Sequence, residues 1–376
     1  MKIAVFTDSF FPGWGGTEFA TYYLCRELIA LGHEILLFAP DYHREQSFTE
    51  FEVFRVKSIK LTQSDMAVLL GLDYGKILKK VRAFNPDVLY YCSASGMAKC
   101  AVKLSKALRK PVVATIHTKF KEAFYDGTKS RLITHCVVRS LASKLNRTDR
   151  VFTVCNDMRG ELKKYGCKKE IGVIRNGSDL VMTEPVPSER DGVFRFMFCG
   201  RLVKLKNIQF SIRSLGLLKR QKGFTDFRFM LAGSGNYEKT LRRLAKKEGV
   251  LENLEFYGRV SDKEKLANLY RKADLFLFPS TFDNDGLVIC EAARQGTPSL
   301  TLKGVGSGER ITDNVNGFLS DYDVQSFADR IYEIVNDAEL LSRVSKNTDT
   351  VEITGWREVA LEYEKVFASV SQGGGC

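Results

Sequence analysis

Short apolar runs rich in β-branched and aromatic residues alternate with longer helical patterns along nearly the whole chain, and the scheme occurs twice. In the first half the apolar runs are Ile3-Phe6, Ile35-Phe38, Val88-Tyr91, Val112-Thr115 and Val151-Val154. In the second half they are Phe196-Cys199, Phe227-Leu231, Leu254-Tyr257, Leu275-Phe278 and Ser299-Leu302. Continuous hydrophobicity within each run indicates parallel strands covered on both faces. The pattern therefore predicts an α/β protein of two doubly wound, Rossmann-like domains.

The predicted domain boundaries follow from length and local composition. A chain of 376 residues is too long for one ordinary core. Residues 181–192 contain two prolines among charged and small residues, which is typical of an exposed linker. We expect an N-terminal domain over 1–180, a C-terminal domain over 193–353, and a helix over 354–370 that packs back on the N-terminal domain. Residues 371–376 have no apolar content to bury and are expected to be a disordered tail.

Composition excludes several classes of protein. The apolar start at Met1-Phe6 is too short for a signal peptide, and no apolar stretch approaches the roughly 20 residues that span a bilayer. The nine cysteines are scattered, odd in number and without a C-x-x-C pair, which indicates free thiols in a reducing compartment. None of the four histidines has the spacing of a metal site. We expect a cytoplasmic protein without a structural metal.

The net charge of +12 is concentrated in one region. Residues 99–149 contain twelve Lys or Arg and three acidic residues. Such a patch attracts anionic lipid headgroups, phosphorylated substrates or nucleic acid, and charge alone does not choose among them.

A glycine loop follows the first strand. Gly15 and Gly16 precede a helical pattern that continues to about Leu31, and glycines before a helix N-terminus let phosphate oxygens approach the backbone. The spacing is neither G-x-G-x-x-G nor that of a P-loop, which disfavours a nucleotide-dependent oxidoreductase. A simple tight turn is the alternative.

Two cations follow the first strand of the second domain. Arg201 and Lys206 stand five residues apart at the end of a strand, where they can neutralise a diphosphate leaving group. An exposed, solvated pair of charges is the alternative.

An acidic glycine turn lies between an apolar strand and a helix at residues 273–298. The first amides of that helix, at Gly286 and Leu287, can hold phosphate oxygens. Glu291 lies about one turn further on, where its carboxylate can accept both ribose hydroxyls. Asp283, before the helix, can bind hydroxyls of a transferred sugar.

These motifs, in this order, resemble those of the retaining GT-B glycosyltransferases, whose mark is two glutamates separated by seven residues. Here Asp283 takes the place of the first glutamate, Glu291 is the second, and Asp285 replaces an aromatic residue common in the family. The resemblance also covers Gly15-Gly16, Gly200-Arg201 with Lys206, and Asn176-Gly177. It implies a GT-B fold, two Rossmann-like domains facing across a cleft.

The family resemblance also implies roles for further residues. Gly258 and Val260 would hold the nucleotide base through backbone groups, and His117 would face the donor sugar, although a histidine there can also be structural. The implied co-substrate is a nucleotide-sugar, with no cofactor, no required metal and no protein nucleophile. Asp283-Asn284-Asp285 matches the metal-binding D-x-D signature of the other large transferase fold, but a whole α/β domain precedes it.

Residues 119–147 contain a basic amphipathic helix. Ile133, Val137, Leu141 and Leu145 recur every four residues, and the opposite side contains Arg139, Ser143 and Arg147, with Lys144 nearby. Such a helix can lie on an anionic membrane or pack its apolar face on the sheet of its own domain.

The acceptor prediction rests on that basic helix, with Arg139, Lys144 and Arg147 as the membrane-binding residues. The arrangement is similar to that of glycolipid-forming members, the monoglucosyl-diacylglycerol synthases and phosphatidylinositol mannosyltransferases. It favours a membrane lipid as acceptor, a peripheral location on the inner face of the cell membrane, and no nucleic-acid partner. A saccharide acceptor, as in capsule, cell-wall or exopolysaccharide assembly, is the alternative.

Overall fold

The chain forms two compact units, each built around its own sheet. The N-terminal unit comprises Met1–Gly177 with Thr354–Cys376, and the C-terminal unit comprises Ser178–Ile353. The computed structural model describes residues 1–10, 16–41, 51–60, 67–69, 73–178 and 192–372. The predicted linker, 181–192, therefore lies outside the described residues except for Gly192, as do residues 373–376 of the predicted tail.

The described part of the N-terminal unit contains an eight-stranded sheet in the order β4-β3-β2-β1-β5-β6-β7-β8. All neighbouring strands are parallel except β4, which is antiparallel to β3. The strands are β1 (Lys2–Phe6), β2 (Glu34–Asp41), β3 (Glu52–Lys60), β4 (Ala67–Leu69), β5 (Val88–Tyr91), β6 (Val112–Ile116), β7 (Arg150–Thr153) and β8 (Ile171–Val173). The helices that connect them are α1 (Gly16–Ala30), α2 (Tyr74–Phe84), α3 (Gly96–Leu108), α4 (Phe120–Thr128), α5 (Arg131–Leu145) and α6 (Asn156–Lys164).

Two apolar cores cover the two faces of this sheet. In β1, Ala4 and Phe6 belong to one core, whereas Ile3 and Val5 belong to the other. Since every residue of a central strand is buried, the sequence has to be apolar throughout rather than alternating.

A C-terminal helix, α13 (Trp356–Gln372), completes one of these cores. Its buried residues are Trp356, Val359, Ala360, Tyr363 and Phe367. Tyr363 Oη lies 2.7 Å from Thr115 Oγ1 of β6. A Cβ on Gly177 would lie 2.7 Å from backbone atoms of Trp356, so only glycine permits this close approach.

The described part of the C-terminal unit contains a six-stranded parallel sheet in the order β11-β10-β9-β12-β13-β14. The strands are β9 (Phe194–Cys199), β10 (Phe227–Ala232), β11 (Leu254–Gly258), β12 (Leu275–Phe278), β13 (Ser299–Leu302) and β14 (Phe318–Ser320). The helices are α7 (Ile208–Lys222), α8 (Glu238–Lys247), α9 (Lys263–Lys272), α10 (Leu287–Arg294), α11 (Val324–Asn336) and α12 (Ala338–Lys346).

The predicted fold class is confirmed, because both units are parallel, Rossmann-like sheets with helices between the strands. The structure adds β3, β4, β8 and β14, which the sequence did not predict. β3 mixes polar and apolar residues near one edge of its sheet, and the other three strands have only three residues each. Among the described helices, none combines the length and apolarity needed to cross a membrane.

Candidate functional site

Two loops meet at the centre of the C-terminal sheet. β9 and β12 are neighbours, and from them the strand order runs towards opposite edges. In open α/β sheets, ligands bind at the carboxyl ends of the strands at such a switch point. The loop after β9 is tied to the loop after β12 by a 2.9 Å hydrogen bond from Asn207 Nδ2 to the carbonyl oxygen of Pro279. The two loops therefore form one continuous surface.

Lys206 and Asp283 form an ion pair on that surface. Lys206 Nζ lies 2.5 Å from Asp283 Oδ1, and the two side chains are 15% and 21% exposed. Burial acts to raise the pKa of Asp283, but Lys206 and, more weakly, Arg201 hold that pKa below its usual value. The surface thus contains an ionised carboxylate that is paired with Lys206 and lies within electrostatic range of Arg201.

Arg201, which is exposed, directly follows an unusually close approach of two loops. A Cβ on Gly233, in the loop after β10, would lie 1.8 Å from the carbonyl oxygen of Gly200. Both residues have positive φ angles, +146° at Gly200 and +149° at Gly233, so glycine is needed at each position. Gly233 and Gly235 were not predicted from the sequence, although two glycines just after a strand indicate a close approach of the backbone.

The N-terminus of α10 opens onto the same loops. Gly286 is its N-cap, with φ +58°, and Leu287 is its first residue. A Cβ on Gly286 would lie 2.9 Å from Ser307 Cβ, so a side chain here would both strain the backbone and crowd the neighbouring loop. The first amides of a helix have no intrahelical partner and attract anions.

Asp285, which departs from the family pattern, forms a buried ion pair with Arg310. Arg310 Nη2 and Nε lie 2.6 and 3.0 Å from Asp285 Oδ1, and the two side chains are 0% and 4% exposed. Arg310 Nη1 also donates to the carbonyl oxygen of Glu352. The pair fastens the turn before α10 to the loop after β13. Arg310 was not predicted from the sequence, because its partner is 25 residues away and only the fold brings the two together.

Glu291 lies on α10 beside a buried tyrosine. Tyr270 Oη, on α9, donates a 2.8 Å hydrogen bond to Glu291 Oε2. Burial raises the pKa of Glu291 to about 7, and the Tyr270 hydrogen bond acts against this rise. Cys199, at the end of β9, is close enough to Glu291 and Tyr270 for both to influence its pKa. Glu291 is therefore placed at the switch point, and Tyr270 is a further site residue that was not predicted from the sequence.

The predicted base-binding segment lies at the end of β11, the edge strand beyond β10. Gly258 ends β11 with φ +66°, and its carbonyl oxygen accepts a 2.7 Å hydrogen bond from Gly233 N. Val260 packs against the core of the C-terminal unit. The structure thus places Gly258 next to the loop at Gly233, which in turn contacts Gly200.

The other predicted site residues belong to the N-terminal unit. Gly15 lies outside the described residues, and Gly16 is the first residue of α1. His117 follows β6 and is half-buried. Desolvation lowers the pKa of His117 to about 4, while a hydrogen bond with Asn176 acts in the opposite direction. At neutral pH this imidazole is uncharged, so it can hydrogen-bond to a hydroxyl group but supplies no positive charge.

The basic helix is α5, and its buried side differs from the prediction. The buried residues are Thr134, Val138, Leu141, Ala142 and Leu145. The predicted stripe is wrong at its first member, because Ile133 is 49% exposed. Arg139 and Arg147 are exposed as predicted, whereas Lys144 is half-buried and donates a 3.0 Å hydrogen bond to Ser140 Oγ. The apolar side packs inward, as in the alternative left open by the sequence.

The D-x-D segment is already neutralised by cations. Asp283 pairs with Lys206, and Asp285 pairs with Arg310. Among the described residues, no group of three His, Cys, Asp or Glu side chains is placed to hold a metal ion.

Two models of known protein families match most of the chain. Residues 14–181 match the Glycosyltransferase Family 4 model, and residues 184–351 match the Glycosyl transferases group 1 model. An alpha-monoglucosyldiacylglycerol synthase of Streptococcus pneumoniae is 23% identical, with 85% of this chain and 75% of that protein covered. A glycogen synthase of Mycobacterium tuberculosis is 29% identical, with 80% and 73% covered.

Solved structures share the fold. Anabaena HepE in complex with UDP and glucose matches with a TM-score of 0.76 at 19% identity, over 97% of this chain and 99% of that one. Together with the strand order and the two family matches, this structural match establishes the fold and the family of the chain. The chain belongs to the glycosyltransferases of group 1 and family 4 and has the GT-B fold.

Proposed function

We propose that the protein transfers a hexose from a UDP-sugar, such as UDP-glucose, to a membrane lipid, such as diacylglycerol, with retention at the anomeric carbon and without a metal. The observation that carries the proposal is the pairing of Lys206 with Asp283 at the switch point, beside Arg201 and the N-terminus of α10. A cation pair beside a helix N-terminus suits a nucleoside diphosphate leaving group.

The chemical task is to stabilise charge on the departing phosphates. Cleavage of the bond between the anomeric carbon and the phosphate oxygen leaves an oxocarbenium-like sugar and an additional negative charge on the diphosphate. Lys206, Arg201 and the amides at Gly286 and Leu287 stabilise that charge. A departing phosphate oxygen takes the acceptor proton on the same face, so no protein nucleophile is assigned.

Neighbouring residues of the C-terminal unit bind the other parts of the donor. Glu291 binds the ribose hydroxyls, the backbone at Gly258 and Val260 binds the base, and Asp283 binds hydroxyls of the transferred sugar. The UDP complex of a protein with the same fold supports UDP as the nucleotide.

Two acceptor classes are supported by relatives. The Streptococcus pneumoniae relative is named for a glycolipid product, which favours a lipid. The Mycobacterium tuberculosis relative is named as a glycogen synthase, which favours a saccharide acceptor, the second candidate.

A donor hydrolysis screen with UDP- and GDP-sugars tests the donor assignment, followed by transfer assays with diacylglycerol and with oligosaccharides. Lys206→Ala should lower the rate about 100-fold or more, as loss of a group that stabilises transition-state charge does. Lys204→Ala, which removes an exposed lysine from the same turn, is the control. Equal rates in the two variants would contradict the proposal.

Chelation tests the absence of a metal requirement. Treatment with EDTA should leave the transfer rate unchanged, because both carboxylates of the D-x-D segment are paired with cations. Complete loss of activity, restored by manganese, would overturn this part of the proposal.

A further inference from the structure

Asn207, which directly follows Lys206, has a left-handed backbone in a buried position. Its φ is +58° and the residue is 6% exposed. The described part of the chain contains four other non-glycine residues with positive φ, and all four are exposed: Asn85, Arg109, Lys129 and Asn314. A residue with a side chain is strained in this region and stays there only where its surroundings hold it. Packing, rather than a solvent-exposed turn, therefore fixes the conformation of Asn207.

The side chain of Asn207 is bonded across the site instead of to its own helix. Asn207 occupies the N-cap position of α7, where an asparagine usually accepts a hydrogen bond from an amide of the first turn, but its side chain makes no such bond. Asn207 Nδ2 instead donates a 2.9 Å hydrogen bond to the carbonyl oxygen of Pro279. Asn207 Oδ1 accepts a 3.0 Å hydrogen bond from Gln209 Nε2. Because both ends of the amide are bonded, its orientation is fixed.

Asn207 also closes the turn that contains Lys206. Residues Lys204–Lys206 form a 3₁₀ turn, and Asn207 N donates a 3.1 Å hydrogen bond to the carbonyl oxygen of Lys204. Asn207 then redirects the chain into α7. A lysine side chain is flexible, so its direction depends on the backbone from which it leaves. This turn directs Lys206 towards Phe278, with Nζ 5.9 Å from the centre of the ring.

The bond to Pro279 holds this turn against the opposite loop. Pro279 and Asp283 belong to one compact turn, because Ser280 Oγ accepts a 3.3 Å hydrogen bond from Asp283 N. The placement of Lys206 beside Asp283 therefore depends on where the Asn207 amide holds the two loops. A displacement of about 1 Å in such a group can lower a reaction rate roughly 100-fold.

We infer that Asn207 is a positioning residue for sugar transfer, which sets Lys206 against the departing diphosphate through its left-handed backbone and its amide bond to Pro279. The inference rests on the proposed function and deepens it, because it assigns the placement of the cation to a neutral side chain that acts through Lys206.

Two substitutions separate the contributions of backbone and side chain. Glycine adopts a positive φ freely, so Asn207→Gly loses only the side-chain bonds, whereas Asn207→Ala also strains the backbone. Asn207→Gly should lower kcat about tenfold or more and weaken UDP binding only about threefold, because Lys206 acts mainly on charge that develops in the transition state. Asn207→Ala should lose at least as much activity and melt at a lower temperature than Asn207→Gly.

Asn314→Gly is the matched control for Asn207→Gly. Asn314 belongs to the same unit and has a φ of +62°, but it is exposed and lies after β13 rather than after β9 or β12. Asn314→Gly should keep the wild-type kcat and UDP affinity. If Asn207 served only the backbone, Asn207→Gly would match this control in both quantities, which would overturn the inference.

A double-mutant cycle shows whether Asn207 acts through Lys206. In a Lys206→Ala background, Asn207→Gly should change kcat and UDP affinity less than about twofold, because the cation that it positions is absent. Losses that multiply in the double variant would overturn the inference. A wild type that binds UDP but transfers no sugar would contradict the proposed function instead, while the same cycle measured in UDP affinity by calorimetry still decides the role of Asn207.

Discussion

The surroundings of Glu291, including its hydrogen bond from Tyr270, determine the pKa of its carboxyl group. The carboxyl group lies at the end of a 2.8 Å hydrogen bond from Tyr270, and burial raises its pKa to about 7. In the proposed function the ribose hydroxyls donate to this group, which accepts them best when ionised. Binding of the nucleotide is therefore coupled to loss of a proton.

Nucleotide affinity should rise with pH through the titration of Glu291. Because the ionised fraction increases about tenfold between roughly pH 6 and pH 8, UDP affinity measured by calorimetry should increase by a similar factor. Glu291→Gln should bind UDP weakly and without this pH dependence. A wild-type affinity that stays constant over the same range would contradict the coupling.

Tyr270→Phe should shift that dependence to higher pH. The variant keeps the ring packed against Phe276 but removes the donor that lowers the pKa of Glu291. The donor KM at neutral pH should therefore rise severalfold while kcat changes less, and the midpoint of the UDP titration should move upward. An unchanged midpoint with lower thermal stability would assign Tyr270 a structural role only.

Asp283→Ala should lower the rate of sugar transfer much more than the affinity for UDP. Its carboxylate is proposed to contact the transferred sugar rather than the nucleotide, so the transfer rate should fall about 100-fold while UDP affinity stays within a few-fold. Comparing kcat with the UDP dissociation constant measures the difference. Equal losses in both would place Asp283 with the phosphate groups.

The sequence predicted Asp283, Glu291 and Lys206 because their motifs are local, each lying in the segment that directly follows β9 or β12. It could not predict Tyr270 or Arg310. Their partners are 21 and 25 residues away in the chain, and only the packing of α9 and of the loop after β13 brings them into contact.

At the scale of elements, the turn that opens α10 depends on a buried charge pair. Asp285 and Arg310 join this turn to the loop after β13, and Gly286 occupies a positive φ angle between them and the helix. A buried pair adds little net stability, but removal of one partner leaves the other charge without compensation.

Asp285→Ala should therefore destabilise the C-terminal unit by about 3–5 kcal/mol, measured by urea unfolding. Glu238→Ala is the control, because Glu238 and Arg242 form an exposed pair and its loss should cost less than about 1 kcal/mol. Equal free energies of unfolding in the two variants would show that the buried pair does not hold the turn.

Most of the predicted strands were found because they are apolar nearly throughout, which indicates a buried parallel strand. The first residue of the predicted stripe in α5 was wrong because a four-residue repeat does not follow the helical period of 3.6. The true buried stripe passes through Thr134 and Val138.

At the scale of the whole molecule, the N-terminal unit is assembled from both ends of the chain. α13 supplies five buried side chains to the core that also contains Ile3 and Val5. Burial of large apolar side chains contributes about 1.5–3 kcal/mol each, so α13 contributes an amount comparable with the stability of a domain.

Ending the chain at Ile353 should therefore unfold the N-terminal unit while the C-terminal unit keeps its UDP affinity. Limited proteolysis and calorimetry measure the two effects separately. Removal of residues 373–376 alone is the control and should change neither. A protease-resistant N-terminal unit in the shortened chain would contradict the role given to α13.

This arrangement sets an order of events during synthesis. The C-terminal unit is contiguous from Ser178 to Ile353 and can close as soon as its own strands leave the ribosome. The half of the protein made first must wait for Phe367, which is synthesised after the whole C-terminal unit, before its core is filled. The nascent enzyme therefore finishes folding in the reverse of the order in which it was made.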